Sequence, residues 1–196
     1  MKRRSIIPRA VKSLRNAAVD LRFGRFLGGT IRSRYEHLGA FHVANSDYDD
    51  LPSLFAAAAI DRDDVLVDVG CGKGRVINWL LMHHPANAIV GIELDPEVCA
   101  ATARRLRRFE QVKIICGDAT TMLPSEGTLF YLFNPFDEHV LRRFADAFLS
   151  EPDAGKKRRI VYYNCKFLEP FRNDSRFEVT VLQGTRNHAS ALVYVK

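Results

Sequence analysis

Residues 65–76, VLVDVGCGKGRV, constrain what this 196-residue chain can fold into more than any other stretch. A short apolar run carries Asp68 and then breaks into glycines at 70, 72 and 74, after which Val76, Ile77, Leu80 and Leu81 recur at helical spacing. The pattern reads as a buried strand, a tight glycine turn and the opening of a helix, which is the layout of a nucleotide-type site at the carboxyl edge of a sheet. Glycine allows the backbone to turn sharply and a ligand to approach where a Cβ would clash.

The dinucleotide fingerprint needs its third glycine at position 75, and Arg75 stands there. The spacing is instead D-x-G-x-G-x-G, from Asp68 to Gly74. A diphosphate favours a helix N-terminus with nothing acidic beside it, whereas a ligand bearing an ammonium group suits the Asp68 carboxylate. Here the chain resembles the class I S-adenosylmethionine-dependent methyltransferases, whose first motif has this acid and glycine pattern. The resemblance implies that Asp68, Gly70, Cys71, Gly72 and Gly74 hold the methionine part of S-adenosylmethionine, with the acid acting on its amino group.

The rest of the chain alternates strand and helix from Val65 onward. Strands are expected at 65–69, 88–93, 112–116, 128–133 and 159–164, and helices at 74–83, 96–109 and 137–149, after a helix over 51–60. Such alternation predicts a parallel sheet covered by helices. Two further strands, 176–182 and 189–195, are separated only by Gln183 to His188, which leaves no room for a crossover helix and predicts an antiparallel hairpin at the sheet edge. The fold class is therefore α/β: a doubly wound, mostly parallel, seven-stranded sheet with helices on both faces and a C-terminal antiparallel hairpin.

Three more strand ends carry chemistry. Glu93, 19 residues after Gly74, can accept two hydrogen bonds from a ribose diol, a feature that suits a dehydrogenase equally well. Asp118 and Ala119 follow the third strand, where the resemblance implies contacts to the adenine amino group and ring; Asp118 also reads as a helix N-cap. Asn134-Pro135-Phe136 follows the fourth strand. Amino-group methyltransferases often carry Asn/Asp/Ser-Pro-Pro-aromatic there, and this chain has one proline fewer. Asn134 can accept from a substrate N–H, Pro135 stiffens the loop and Phe136 can offer its ring to a cationic centre. An alternative reading has Asn134-Pro135 simply end the strand and Asp137 cap the next helix. Methyl transfer from a sulfonium depends chiefly on holding the nucleophile close and aligned, and no general base is assigned.

Composition bounds the setting. A 47% hydrophobic, 27% charged chain of this length builds one well-buried globular domain. No apolar run approaches the ~20 residues that span a bilayer. Cys71, Cys99, Cys116 and Cys165 form no C-x-x-C pair, so they read as reduced thiols of a cytoplasmic protein, and His83-His84 reads as a helix end, with no metal site expected. The net charge of +6 is uneven: Lys2, Arg3, Arg4, Arg9, Lys12 and Arg15 all precede the first acid, Asp20. Such an arm suits nucleic acid, an anionic membrane surface or an acidic protein, or is simply solvated; an Arg-rich, acid-poor start also resembles an organelle transit peptide. The Arg104–Arg108 run reads as a solvated helix face, and Lys73 as a loop-orienting residue or a contact to the cofactor carboxylate.

The chain thus divides into residues 1–50, a basic, partly helical extension serving as lid or docking arm, and residues 51–196, the methyltransferase domain that the resemblance covers. Tyr35, His42, Asn45 and Tyr48 stand where the family often folds a lid. The implied activity is methyl transfer from S-adenosylmethionine to an amine nitrogen, a protein lysine foremost. The competing readings are a nucleic-acid or small-molecule methyltransferase, the former served by the basic arm, a non-catalytic S-adenosylmethionine-binding module, and a dehydrogenase.

Overall fold

The computed structural model describes residues 9–150, 158–182 and 188–196; Lys2, Arg3 and Arg4 of the basic arm, and 183–187 of the hairpin turn, lie outside them. Helix α1 spans Arg9–Arg22 and α2 spans Leu51–Ala58. Then follow β1 (Val65–Val69), α3 (Arg75–His83), β2 (Ala88–Glu93), α4 (Pro96–Leu106), β3 (Val112–Cys116), β4 (Leu129–Leu132), α5 (Glu138–Ser150), β5 (Arg159–Tyr162), α6 (Glu169–Arg172), β6 (Phe177–Leu182) and β7 (Ser190–Val195).

These strands form one seven-stranded sheet in the order β3-β2-β1-β4-β5-β7-β6. The first five pair in parallel, while β7 runs antiparallel to both β5 and β6. The expected doubly wound sheet with a C-terminal antiparallel pair is what forms. Strand order reverses between β1 and β4, and the carboxyl ends on either side of that reversal are where open α/β sheets bind ligands.

Alternation along the central strands divides the core in two. Val67, Val69, Phe130, Leu132, Ile160 and Tyr162 face α5 and α6, packing on Phe144, Phe148 and Phe171. Leu66, Leu129, Tyr131, Val161 and Tyr163 face the other side, against Leu51, Leu54 and Phe55 of α2 and Ile77 and Leu80 of α3. Truncating a wholly buried ring such as Phe144 costs about 3–5 kcal/mol.

Several element ends shift from the sequence expectation for local reasons. Gly74, at φ +75°, stands outside α3 as its N-cap, and α4 stops at Leu106 rather than 109. Asp137 accepts from the Val140 N–H at 2.9 Å and so precedes α5. The short α6, with Pro170 in its first turn, carries too few residues for a periodic signal.

Residues 23–50 run from α1 back across the carboxyl edge of the sheet. Phe23 and Tyr48 are buried in the α2/α3 core. Ala40 bridges Phe136, with the Phe41 N–H donating to the Pro135 carbonyl at 3.1 Å and the Asp137 N–H to the Gly39 carbonyl at 2.8 Å. Residues 39–41 therefore pair with the loop that follows β4.

Candidate active site

A cavity of about 380 Å³ lies at the strand reversal, within the size range of ligand sites. Its floor is the ends of β1, β2, β3 and β4, and its roof is the segment from Ser33 to Ser46. Asp68, Gly70, Cys71, Glu93, Asp118, Ala119, Asn134, Pro135 and Phe136 all line it. Gly72 and Gly74, the other two residues expected at the cofactor, shape the turn behind that wall.

The turn is built for close approach. Gly70 and Gly72 both have positive φ, +69° and +51°. A Cβ on Gly70 would come within 2.8 Å of the Pro135 Cβ, and one on Gly72 within 2.4 Å of the Val43 Cγ1. The glycine turn thus touches the β4 loop on one side and the roof on the other.

Glu93 stabilises this turn from the adjacent strand. Its Oε2 accepts from the Gly72 N–H at 2.8 Å and its Oε1 from the Asp95 N–H at 2.9 Å. Each carboxylate oxygen keeps further lone-pair capacity. Burial raises the Glu93 carboxyl above its ordinary value, against the lowering effect of those backbone donors.

Asp68 is different. It is only 3% exposed, and its buried Oδ2 has no hydrogen-bond partner. Burial, with the Glu93 carboxylate adding to it, pushes its carboxyl up to about 8. A buried carboxylate oxygen left unsatisfied in the binding cavity is costly unless a cation or donor arrives. With Glu93, Asp95 and Asp118 the floor is acidic, which repels the diphosphate of a dinucleotide. It suits a ligand with an ammonium group, a diol and a neutral base.

Asp118 is half exposed; its Oδ1 accepts from the Thr120 N–H at 2.8 Å, and Arg143 Nη2 lies 3.8 Å from its Oδ2. No helix follows, so Asp118 caps a turn over 119–121 where the sequence suggested a helix N-terminus, and its Oδ2 edge remains beside the cavity.

Asn134 adopts φ +43°, a left-handed conformation that asparagine tolerates better than most residues. Its carboxamide ties β4 to the chain beyond β5. Oδ1 accepts from the Tyr162 hydroxyl and the Lys166 N–H, both at 3.0 Å, and Nδ2 donates to the Asn164 carbonyl at 2.7 Å. Both Oδ1 lone pairs are thus engaged. Phe136 is largely buried, packing 5.6 Å from the Phe144 ring, centroid to centroid. Phe133, which sequence reasoning passed over, offers a second aromatic wall.

Tyr35, His42 and Asn45 of the roof line the cavity as the lid comparison suggested. Tyr48 does not: it is buried, donates to Asp20 Oδ1 at 3.0 Å and accepts from Asn78 Nδ2 at 3.0 Å. Arg143 and His139, from α5, also reach the wall. No motif marked them, because α5 reads only as an amphipathic helix.

Lys73 turns away from the floor and donates to the Gly28 and Gly29 carbonyls at 2.9 and 2.6 Å. Arg105 is an exception to the solvated Arg104–Arg108 face. It donates to Asn78 Oδ1 at 2.9 Å and to the Lys73 carbonyl at 2.8 Å. No His/Cys/Asp/Glu group able to hold a metal occurs among the described residues, and no described helix is long and apolar enough to cross a membrane.

Comparison with known proteins bears on the same residues. A family model described as Methyltransferase domain matches residues 66–151, from β1 through α5. Ribosomal RNA small subunit methyltransferase H of Synechococcus sp. (strain RCC307) is 32% identical over 74 residues, 37% of this chain and 25% of that protein. The chain therefore spans a limited part of that curated relative. Among solved structures, an RNA methyltransferase from Salinibacter ruber in complex with S-adenosyl-L-homocysteine superposes with a TM-score of 0.59 at 19% identity, covering 78% of this chain and 92% of that one. MtNAS in complex with MTA and tNA does so with a TM-score of 0.58 at 18% identity, covering 76% and 60%. Those two likenesses speak to the fold, and the family match covers the segment from β1 through α5 that carries the cavity floor. Over that segment the chain is similar to the S-adenosylmethionine-dependent methyltransferases, and its fold is theirs.

Proposed function

We propose that this protein transfers the methyl group of S-adenosylmethionine to an amine nitrogen, with a protein lysine side chain as the foremost acceptor. The observation that carries the cofactor half is the buried, unpartnered Asp68 Oδ2 at the cavity floor. In this reading Asp68 takes the ammonium of the methionine part, Gly70 and Cys71 lie along it, Glu93 takes the ribose diol, and Asp118 with Ala119 takes the adenine. The bound cofactor supplies an electrophilic methyl on a sulfonium, a good leaving group.

The residues of the chain then have to hold the acceptor nitrogen in line and exclude competing water. Asn134 acts as a positioning residue: its three hydrogen bonds fix the loop that presents Pro135 and Phe136 to the cavity. Phe133 and Phe136 provide the aromatic surface that favours a centre gaining positive charge. The roof, held to Pro135 and Asp137 by backbone hydrogen bonds, shields the site. Residues 1–50 serve in this reading as lid and arm to the 51–196 domain. The free cysteines support a cytoplasmic setting.

A nucleic-acid acceptor is the second reading, favoured by the basic charge that precedes Asp20. Incubating the protein with methyl-labelled S-adenosylmethionine and fractionated cell extract separates the two. Label in a nuclease-resistant, protease-sensitive band supports a protein acceptor; label released by nuclease overturns it. Cofactor binding in calorimetry, with no methyl transfer to any fraction, would instead leave a binding module.

A further inference from the structure

Helix α1 turns two polar side chains inward, with Val19 as its apolar contact to the core. Asn16 and Asp20 are buried against the domain. Asn16 Nδ2 donates to Asp47 Oδ1 at 2.8 Å, and the Arg75 guanidinium and the Tyr48 hydroxyl both donate to Asp20. The outward face is apolar: Val11 is 39% exposed, Leu14 71% and Leu21 62%, and Phe26, just beyond the helix, 53%. At about 100° per residue, Val11, Leu14, Ala18 and Leu21 share one arc of roughly 80°, opposite the arc of Asn16 and Asp20. An amphipathic helix serving only its own core would be turned the other way.

One flank of the apolar stripe is basic. Arg15, Arg22 and Arg25 are exposed beside it, and the exposed Arg108 of the segment after α4 donates to the Arg22 carbonyl at 3.3 Å, bringing a second basic element to the same edge. Arg15 has one acidic neighbour, Asp49 at 3.9 Å, and the half-buried Lys12 faces Asp50 at the same distance. The one acid within α1 is Asp20, which is wholly buried. The outward surface is therefore a low-hydropathy helix whose apolar stripe is bordered along one side by cations.

We infer that the outward face of α1, with Phe26, docks this protein on an anionic lipid surface, the stripe Val11, Leu14, Ala18 and Leu21 entering the headgroup boundary and Arg15, Arg22 and Arg25 meeting the phosphates. Buried apolar area and attraction to anionic lipid act together in such helices, and each arginine near the surface adds to the second. A polyanion such as RNA would use the arginines and leave the aliphatic stripe in water. An apolar protein partner would leave the cationic border unmatched. Neither accounts for both features, and the bilayer surface does. The docking rests on the geometry of α1 and is independent of the methyl acceptor.

Co-sedimentation of the full chain with vesicles of phosphatidylcholine alone, and of phosphatidylcholine mixed with phosphatidylglycerol, tests this. The wild type should pellet with the mixed vesicles only. Leu14→Gln/Leu21→Gln and Arg15→Gln/Arg22→Gln should each lose the binding, the arginine pair by roughly thirtyfold at low salt, with unchanged circular dichroism and melting. Wild type that ignores the mixed vesicles, or either double variant binding as wild type, overturns the proposal. Single-stranded RNA retained by Arg15 and Arg22 without vesicle binding would reassign the face to RNA. A dimer in sedimentation velocity, broken by Leu14→Gln/Leu21→Gln, would reassign it to a second copy.

Discussion

Arg75 and Asp20 form a buried, two-pronged pair: Nη2 lies 2.6 Å from Oδ2 and Nε 3.1 Å from Oδ1. The side chains are 7% and 0% exposed. The residue that occupies the fingerprint's third glycine position is thus the anchor that fastens α1 to the start of α3. Asp20 also accepts from the Leu27 N–H at 3.1 Å and the Tyr48 hydroxyl, so one carboxylate organises the whole approach to the roof.

Removing one member leaves the other charge buried and unpaired, which costs about 3–5 kcal/mol. Asp20→Ala and Arg75→Met should each lose that much stability in urea unfolding. The double variant should lose much less than the sum of the two. Purely additive losses would show that the ion pair does not couple the helix to the loop.

Asp68 connects pH to both stability and binding. Folded and ligand-free, its carboxyl sits near 8, against 3.8 for an ordinary aspartate. The unfolded chain gives up that proton near pH 4 while the folded chain keeps it, so the contribution of Asp68 to stability declines as pH rises from about 4 to about 8. Asp68→Asn removes that decline, so its melting temperature should gain on the wild type between pH 5 and pH 8. A cationic amine ligand favours the ionised acid, and wild-type cofactor affinity should therefore tighten over the same interval. Calorimetry should find S-adenosylmethionine binding weakened roughly 10- to 100-fold in Asp68→Asn. An unchanged Kd would remove Asp68 from the amino group.

Gly72 couples the floor to the roof. Alanine there must adopt φ +51° and bring its Cβ within 2.4 Å of Val43 Cγ1, while left-handed backbone alone costs about 1–2 kcal/mol. Gly72→Ala should weaken cofactor binding about tenfold. Adding Val43→Ala should return part of that loss by relieving the contact, leaving the backbone share. If Val43→Ala restores nothing in binding assays, the roof does not bear on the turn.

The sheet was legible because its strands are apolar runs closed by chemistry-bearing residues. Val65–Val69, Ala88–Glu93 and Leu129–Leu132 are buried along nearly their whole length, and buried parallel strands leave that record in a sequence. Asp68, Glu93, Asp118 and Asn134 were legible because topology brings successive parallel strand ends to one edge. The roles of Arg75, Arg105 and Lys73 were hidden. Each is a basic residue beside a glycine turn or on a helix, and its partners Asp20, Asn78, Gly28 and Gly29 lie at separations that no period marks. The inverted α1 was hidden for a related reason: periodicity shows that a helix has two faces and leaves open which one is buried.

Asn134 makes its three hydrogen bonds from a left-handed backbone, so its substitutions separate scaffold from chemistry. Tyr162→Phe removes one donor to Oδ1 and leaves the Lys166 N–H, at a cost of about 1 kcal/mol. Asn134→Asp keeps the acceptor but sets a carboxylate oxygen against the Asn164 carbonyl, where Nδ2 had donated. Asn134→Ala loses all three bonds and adds the strain of φ +43°, about 3 kcal/mol or more in total. Melting temperatures should descend in that order. The cofactor Kd should hold in the two milder variants if, as proposed, the loop faces the acceptor and leaves the cofactor to Asp68, Glu93 and Asp118. Turnover on the labelled acceptor fraction should fall with loop displacement, by about tenfold in Asn134→Asp. An Asn134→Asp protein with wild-type turnover would take this loop out of the acceptor's path.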